Sequence, residues 1–222
     1  MITLYVLLQS RANRIAWLLE ELNLAYQVEI FERDQHTKLA PATLKKIHPL
    51  GKSPILKDGN LVLAESGAIV EYLIERYGQG KLKPQAESAD YPHYLHWLHY
   101  AEGSLMFPLL LSLVFRKIDH TKMPFFVKPI ANKISDKVKQ GFIEPQLKLH
   151  FDYVEQALAG KKWLVNDRLS GADIMMSFPL QAVLLRSDLD YPNIRAYVAR
   201  IEALESWQRA EQKVGILELN KL

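Results

Sequence analysis

Strand patterns and helix patterns alternate along the first part of the chain. Residues 2–8 form a short, nearly continuous apolar run, which is typical of a strand buried on both faces. From Ala12 to Leu24 the apolar side chains recur at intervals of three and four residues, which predicts a helix. Residues 26–30 alternate apolar and polar side chains, as a second strand does. Because this helix connects the two strands through short turns, the strands are predicted to be parallel.

Two shorter elements are predicted next. Pro41–Ile47 should form a short helix with proline in its first turn. Apolar runs at residues 54–56 and 61–63 flank an Asp-Gly step, which is a strong signal for an antiparallel hairpin. We expect Pro54 to open an edge strand of the resulting sheet.

A third helix closes this part of the chain. Its pattern begins near Ser66 and ends at Tyr77, and Gly78 is expected to form a left-handed cap behind it. The order β-α-β, short helix, β-β-α is that of a thioredoxin-like α/β domain, which we assign to residues 1–79. Residues 80–89 carry Gly, Pro and charge without apolar periodicity, so they are predicted to be a linker.

The remaining residues, 90–222, carry helical patterns without any strand signal. They are predicted to form an all-α C-terminal domain, with breaks near 119–124, 160–169 and 188–192. The fold class is therefore an α/β thioredoxin-like N-terminal domain followed by an all-α C-terminal domain.

A capping box of the Ser-x-x-Asp type marks one helix start in this second domain. It runs from Ser170 to Asp173, and Leu169 and Ile174 occupy the two positions of a hydrophobic staple. We expect these residues to stabilise the start of a buried helix and not to contact a substrate.

Composition excludes several function classes. The chain has 222 residues and no cysteine, so it forms no disulfide, no thiolate metal site and no protein thiol nucleophile. A net charge of +3 is spread along the sequence, and this does not indicate nucleic-acid binding. The apolar stretch Leu105–Phe115 is shorter than the roughly 18 residues that span a bilayer, and the first residues carry no basic segment. We expect a cytoplasmic protein that does not bind membranes.

Several segments resemble the cytosolic glutathione transferase superfamily. They are SRANR at 10–14 with WLLEEL at 17–22, HPLGKSP at 48–54, AES at 64–66 and SGAD at 170–173. The run HYAEGSL at 99–105 is similar to a fungal and bacterial subgroup that is described by transferase and peroxidase activities. The resemblance implies a homodimeric detoxification enzyme that uses glutathione as co-substrate without a further cofactor.

The binding of glutathione needs a strand-like pairing partner, anion sites and a group that stabilises thiolate. The backbone of Ser53 is expected to pair with the cysteinyl unit. In the family, the peptide bond before the proline that matches Pro54 is cis. Ser66 at a helix start fits the γ-glutamyl carboxylate, although a plain cap is the alternative. Glu65 then meets the amine, unless it is only a solvated loop charge.

Two further charged residues are candidates for contacts with glutathione. Lys52 is placed at the glycyl carboxylate, with an unpaired surface lysine as the alternative. Glu102 is a candidate to reach glutathione across a dimer. Related classes also carry a histidine on the loop before the short helix, but Leu39 and its neighbours offer none at the matching position.

The thiol of glutathione must be ionised to react. A free thiol with a pKa near 8.5 is mostly protonated at pH 7, so a hydrogen-bond donor near a helix N-terminus is needed. Ser10 lies at the junction of the first strand and first helix, as in serine-type members such as the theta class. Tyr5, inside the strand, is the competing donor, and Asn13 is a candidate helper. A plain helix cap is the alternative role for Ser10.

The second substrate is expected between the domains, although the same apolar stripe is also typical of a core. The candidate lining residues are Tyr100, Met106, Phe107 and Leu110. His96 and His99 are spaced by three residues, but no acidic partner accompanies them, so no metal site is predicted.

The leading hypothesis is a glutathione transferase that conjugates the thiol to electrophiles, with reduction of organic hydroperoxides as a variant of the same chemistry. The alternative is a non-catalytic glutathione-binding or assembly module, because a fold does not fix a function.

Overall fold

The N-terminal part of the chain forms one four-stranded mixed sheet. The computed structural model describes residues 1–184 and 190–218. The strands are β1 (Ile2–Leu7), β2 (Tyr26–Phe31), β3 (Ile55–Asp58) and β4 (Leu61–Ala64). Their order is β2-β1-β3-β4, with β1 parallel to β2 and antiparallel to β3, and β3 antiparallel to β4. The predicted β-α-β unit and the predicted hairpin are therefore confirmed.

The other regular elements of the described chain are helices. The N-terminal ones are α1 (Ala12–Glu21), a short 3-10 helix (Ala42–Lys46) and α2 (Ser66–Tyr77). The C-terminal ones are α3 (Tyr91–Tyr100), α4 (Met106–Asp119), α5 (Lys128–Val138), α6 (Glu144–Leu158), α7 (Gly171–Leu184), α8 (Pro192–Glu202) and α9 (Glu205–Val214). Single π-helical turns, Ala101–Leu105 and Lys139–Ile143, lead into α4 and α6. The thioredoxin-like and all-α fold classes are confirmed, while residues 188 and 189 of the predicted break at 188–192 lie outside the described ranges and α8 begins at its last residue, Pro192.

The expectation that Pro54 opens an edge strand is wrong. Strand β3 lies inside the sheet, because β1 pairs with it on one side and β4 on the other. Pairing with β1 and β4 begins at Ile55, so the missing N–H of Pro54 interrupts no ladder. The Ser53–Pro54 peptide bond is cis, as the family resemblance implies.

The two faces of the sheet bury different cores. Strand alternation sends Leu4 and Val6 into a large core that continues through α1 and α2 into the helical domain. On the other face, Tyr5 and Leu7 pack with Leu44 of the 3-10 helix in a small separate core. The 3-10 helix thus covers the face of the sheet that the longer helices leave free.

The predicted left-handed cap at Gly78 is wrong. Gly78 has φ −73°, and the positive φ of 50° falls on Gln79 instead. Glycine is required for a different reason, because a Cβ at this position would lie 2.4 Å from the carbonyl oxygen of Ile74. The residue therefore leaves room for the carbonyl of the last turn of α2 itself.

Helix α1 joins the two halves of the molecule. It packs against α9 and α7 as well as against the sheet and α2. Trp17 and Trp207 meet edge to face with ring centroids 5.5 Å apart, and both are almost completely buried. The N-terminal end of α1 is therefore held firmly by both parts of the fold.

Only one half of the capping box at the start of α7 forms, in which the side chain of Asp173 reaches back to Ser170. The carboxylate of Asp173 accepts the N–H of Ser170 at 2.8 Å, and the Ser170 hydroxyl donates to the same carboxylate at 3.0 Å. Asp173 also accepts the N–H of Leu164 at 3.0 Å and the hydroxyl of Tyr197 at 2.8 Å. Burial raises the pKa of Asp173 to about 6, against the lowering effect of these four donors. The residue ties α7, α8 and the preceding loop together.

The continuous helical stretch from Tyr91 to Asp119 is 29 residues long, and its length and composition would allow it to cross a membrane. In the structure α3 packs against α7, and α4 packs against α5 and α7. A core helix of a soluble protein has the same length and composition, so the expected absence of membrane binding stays a prediction.

Candidate active site between the two domains

A cavity of about 550 Å³ opens where the loop before α1 faces α4 and α7. Its charged lining residues are Arg11, Glu32, Arg33, Lys38, Lys52 and Lys117. Its apolar wall on the helical side consists of Met106, Leu109, Leu110, Leu113, Phe178 and Ala182. Ser10 and Ser53 line the same cavity. The cavity therefore combines cationic side chains with an apolar wall.

Ser10 is held at the start of α1 by local hydrogen bonds. The preceding residue, Gln9, has a left-handed φ of 59°, which turns the chain sharply out of β1. The Ser10 hydroxyl oxygen accepts the N–H of Ala12 at 3.2 Å and lies 3.3 Å from the hydroxyl oxygen of Ser53. Ser10 is therefore both a helix-start acceptor and a hydroxyl that lines the cavity, so its two proposed roles are compatible.

Ser53 fixes the donor and acceptor roles in this pair. Its hydroxyl accepts the N–H of Leu7 at 2.9 Å and donates to the carbonyl oxygen of Tyr5 at 3.2 Å. With the Ser53 hydrogen used in this way, Ser10 is the donor in the Ser10–Ser53 contact, and rotation of its hydroxyl turns the same hydrogen to a ligand instead. Within residues 1–184 and 190–218, the backbone N–H and carbonyl of Ser53 form no hydrogen bond. They are free to pair with an extended peptide.

Tyr5 lies away from the cavity. Its ring packs 6.4 Å from the ring of Phe31, in the small core beneath the 3-10 helix. Burial raises the pKa of the Tyr5 hydroxyl, and the nearby Glu29 carboxylate adds to this effect. The structure thus brings only the backbone carbonyl of Tyr5 to the serine pair.

Asn13 is also kept out of the cavity. Its side-chain amide donates to the carbonyl oxygen of Gly215 at 2.9 Å, and the residue is buried. Gln9 makes a parallel bond at 3.0 Å to the carbonyl of Ile216. The geometry therefore gives Asn13 a structural role, in which it anchors the segment after α9 to the start of α1.

Glu65 and Ser66 lie together where α2 begins. Glu65 has a φ of 72°, which is uncommon for a residue with a side chain, and such strain often occurs at functional sites. Ser66 is the first helical residue and is buried, and no side chain caps this helix start. The plain-cap alternative for Ser66 therefore fails, because Glu65 occupies the cap position. The first N–H groups of α2 are open to an anion.

Glu102 forms a tie between the domains within its own chain. It sits on the π-helical turn and pairs with the fully buried Arg14, and the Arg11 Nε lies 3.2 Å from the same carboxylate. Arg14 also donates to the carbonyl oxygen of Met175 at 2.8 Å. Burial lowers the pKa of Arg14, while Glu102 and Glu65 act in the opposite direction. The geometry does not bring Glu102 to the cavity lining.

The predicted second-substrate residues divide into two pairs. Met106 and Leu110 line the cavity, but Phe107 and Tyr100 do not. Phe107 is 55% exposed because it lies about 100° further around α4 than Met106. Tyr100 packs within the helical domain, where its hydroxyl lies 2.5 Å from the His150 ring nitrogen.

The sequence analysis missed the cationic loop between β2 and the 3-10 helix. Arg33 donates to the carbonyl oxygens of Gln9 at 3.1 Å and Lys38 at 3.2 Å, and this closes the loop against the start of α1. Lys38 lines the cavity beside Leu39, near the position where we found no histidine. In the sequence, Arg33 and Lys38 are two cations in a segment without periodicity. Such isolated surface charges are common in every protein and do not by themselves indicate a site.

The histidines on α3 do not gather around a common point. His96 hydrogen-bonds with the Tyr153 hydroxyl at 3.0 Å and stacks on the ring of Tyr100. In residues 1–184 and 190–218, no three side chains of the metal-binding types come together.

Comparison with known proteins supports one family along the length of the chain. Residues 1–75 match the glutathione S-transferase N-terminal domain, and residues 118–205 match the C-terminal domain of the same family. Glutathione S-transferase 1 of Saccharomyces cerevisiae is 38% identical over 95% of this chain and 94% of its own length. Glutathione S-transferase 3 of Schizosaccharomyces pombe is 30% identical over 96% and 88%.

The solved structures agree with the sequence relatives. A glutathione S-transferase from Actinobacillus pleuropneumoniae superposes with a TM-score of 0.82 at 38% identity, and the match covers 100% of this chain and 97% of that one. These similarities do not favour the non-catalytic alternative. The chain belongs to the cytosolic glutathione transferase superfamily and is a glutathione transferase, with glutathione as its substrate.

Proposed function

We propose that Ser10 stabilises the thiolate of glutathione, which attacks an apolar electrophile held against α4 and α7. The observation that carries this proposal is the Ser10 hydroxyl, which lines the cavity at the start of α1 and can turn its hydrogen from Ser53 to a ligand. A hydroxyl donor and the positive end of a helix both favour a thiolate over a thiol.

The remaining parts of glutathione have complementary partners at the cavity and at the start of α2, whose residues Glu65 and Ser66 lie outside the cavity lining. The cysteinyl unit pairs with the backbone N–H and carbonyl of Ser53, which form no hydrogen bond within residues 1–184 and 190–218. The γ-glutamyl carboxylate binds the open start of α2 at Ser66, and Glu65 receives the amine. Lys52, exposed and on the cavity lining, binds the glycyl carboxylate.

A panel of three substrates tests the reaction. With a chloronitroarene, the sulfur forms a bond to the ring carbon, chloride leaves, and the thiol proton passes to solvent. An isothiocyanate adds the thiol across its C=N bond without a leaving group. Cumene hydroperoxide tests peroxide reduction, in which two glutathione molecules become the disulfide while the peroxide becomes an alcohol and water. Glutathione binding without turnover of any of the three would contradict the proposed enzyme.

Glu65→Ala and Ser66→Ala should each raise the KM for glutathione by about tenfold, with a smaller change in kcat. Both residues contact the γ-glutamyl end, which is remote from the sulfur atom. Steady-state kinetics at varied glutathione concentration measures the effect. Glu75→Ala is the matched control, because Glu75 lies on the same helix and pairs with Lys83 on the surface. An unchanged KM in both site variants would remove these residues from the glutathione site.

We also propose that the enzyme is a homodimer. Support comes from the family resemblance and from exposed apolar side chains on the helical domain, among them Phe125, Ile130 and Ile134. Two-fold pairs are the commonest protein assembly. Sedimentation at micromolar concentration should give twice the chain mass of 25.6 kDa. A single species at the chain mass would contradict the dimer.

The cell compartment and physiological role are proposed on the same basis. A chain without cysteine is compatible with the reducing cytoplasm, and conjugation of electrophiles is a detoxification reaction. Cell fractionation with an antibody to this chain tests the location, and recovery with a membrane pellet after a salt wash would contradict it.

A further inference from the structure

The apolar wall of the cavity on α4 ends in a single cation. Met106, Leu110, Leu113 and Lys117 follow one another at intervals of three and four residues, so they share one face of the helix. The two ends of this face differ in burial, because Met106 is 9% exposed and Lys117 is an exposed residue, with Leu110 exposed and Leu113 half-buried between them. The wall therefore runs from the interior of the molecule to the mouth of the cavity.

The proposed position of the sulfur atom is at the buried end of this wall. Arg11, the neighbour of Ser10, places its guanidinium 6.0 Å from the ring centre of Phe178. Phe178 lines the cavity together with Met106, so the serine faces the interior end of the apolar wall. An electrophile that meets the sulfur there extends its remaining atoms along α4 toward Lys117.

The cavity holds more positive charge than glutathione neutralises. Its lining contains five cations and one carboxylate, that of Glu32. Arg11 is already paired with Glu102. The glycyl carboxylate of glutathione meets Lys52 and the adjacent cationic loop, and its other carboxylate binds at the start of α2. Lys117, on the opposite wall, is left without an anionic partner from glutathione.

No acidic side chain of the protein neutralises Lys117 either. Across the described ranges 1–184 and 190–218, the Lys117 ammonium forms no ion pair. Asp119, the nearest acidic residue on the same helix, accepts the Ser135 hydroxyl at 2.6 Å and the ammonium of Lys139 at 2.9 Å. The cation at the mouth is therefore available to a ligand.

We infer that the second substrate is an elongated aliphatic electrophile with an anionic group, such as a carboxylate, at the end remote from its reactive carbon. This inference rests on the proposed function of the same cavity. The apolar chain lies on Leu110 and Leu113, and the anion meets Lys117. Eleven residues separate Met106 from Lys117, which corresponds to roughly 16 Å of helix and to a chain of about ten to twelve carbons.

Binding of two synthetic conjugates tests the inference without knowledge of the natural electrophile. They are S-(ω-carboxydecyl)glutathione and its methyl ester, which differ only in the terminal charge. Isothermal titration calorimetry should show that the acid binds roughly three- to tenfold more tightly than the ester. In Lys117→Met this preference should disappear while the affinity for the ester is retained, and Lys117→Arg should restore it.

Arg116→Met is the matched control, because Arg116 is the neighbouring exposed cation on α4 and does not line the cavity. It removes the same net charge and should leave the preference for the acid intact. Equal binding of acid and ester by the unmodified enzyme, or an equal loss in both methionine variants, would overturn the inference while the transferase function stands. If neither conjugate binds, the glutathione site itself is wrong, and the inference fails with it.

Discussion

Ser10→Ala should raise the pKa of the enzyme-bound glutathione thiol by about one to two units. A hydrogen bond to a charged group contributes roughly 1.5 to 3 kcal/mol, and one pKa unit corresponds to about 1.4 kcal/mol. The Ser10 hydroxyl lines the cavity and can turn its hydrogen from Ser53 to the sulfur, so its removal leaves the thiolate without this donor. The thiolate absorbance of the glutathione complex, followed against pH, measures the shift directly. At neutral pH the rate of conjugation should fall about ten- to a hundredfold.

Tyr5→Phe is the control for this titration and should leave the curve unchanged. The Tyr5 ring is packed in the small core on the other face of the sheet, and only its backbone carbonyl contacts the serine pair. A shift in Tyr5→Phe without one in Ser10→Ala would make the enzyme tyrosine-type. If neither variant shifts, the backbone at the start of α1 carries the stabilisation. Asn13→Ala should not shift the thiol titration curve, because the Asn13 amide donates to the carbonyl oxygen of Gly215.

Asp173→Ala should lower the free energy of unfolding by about 3 to 5 kcal/mol. The sequence motif alone predicts about 1 kcal/mol, the usual contribution of a capping residue. The larger value follows because the fully buried carboxylate accepts four hydrogen bonds, from Ser170, Leu164 and Tyr197. The variant leaves these donors buried and unpaired. Urea denaturation, read by both fluorescence and circular dichroism, measures the loss.

The control for stability is Asp136→Ala, which removes a carboxylate from an exposed ion pair with Lys139. It should change the free energy of unfolding by less than about 1 kcal/mol. The folded fraction of Asp173→Ala should bind glutathione with nearly unchanged affinity, since Asp173 lies outside the cavity. A variant of normal stability with greatly weakened glutathione binding would contradict the structural role of Asp173.

Local signals predicted the elements of the fold well because each signal acts over a few residues. The alternation in 26–30 and the Asp-Gly hairpin signal correspond to β2 and the β3–β4 turn. One error occurred where a distant segment decides the outcome, because β3 became an inner strand when β1 paired with its free side. The Gly78 error is local, since the carbonyl that leaves no room for a side chain belongs to Ile74, four residues earlier in the last turn of α2. The sequence pattern marks the helix end correctly but does not show which backbone atom approaches the glycine.

The same division holds for the candidate site. Ser10, Lys52 and Ser53 were predicted from their motifs, and they all line the cavity, because the short segments around them carry the chemistry. Asn13 was predicted from the same neighbourhood as Ser10, but its side chain is engaged by the carbonyl of Gly215. Glu102, a candidate to reach glutathione across a dimer, pairs with the buried Arg14 of its own chain, and its role across a dimer stays a prediction. A motif predicts the backbone position of a residue, whereas the orientation of its side chain depends on the hydrogen-bonding partners that the tertiary structure supplies.

The sequence by itself determined the order of strands and helices, the resemblance to glutathione transferases and the absence of any protein thiol. These follow from periodicity, from motifs and from composition, which need no knowledge of distant contacts. Only the tertiary structure decided that Phe178 and Lys117 face the same cavity as Ser10. Helix α7 is buried on all sides, so its apolar pattern marks no special face, and a lone lysine on α4 looks like any surface charge. The packing of the two domains against each other gives both residues a place in the site.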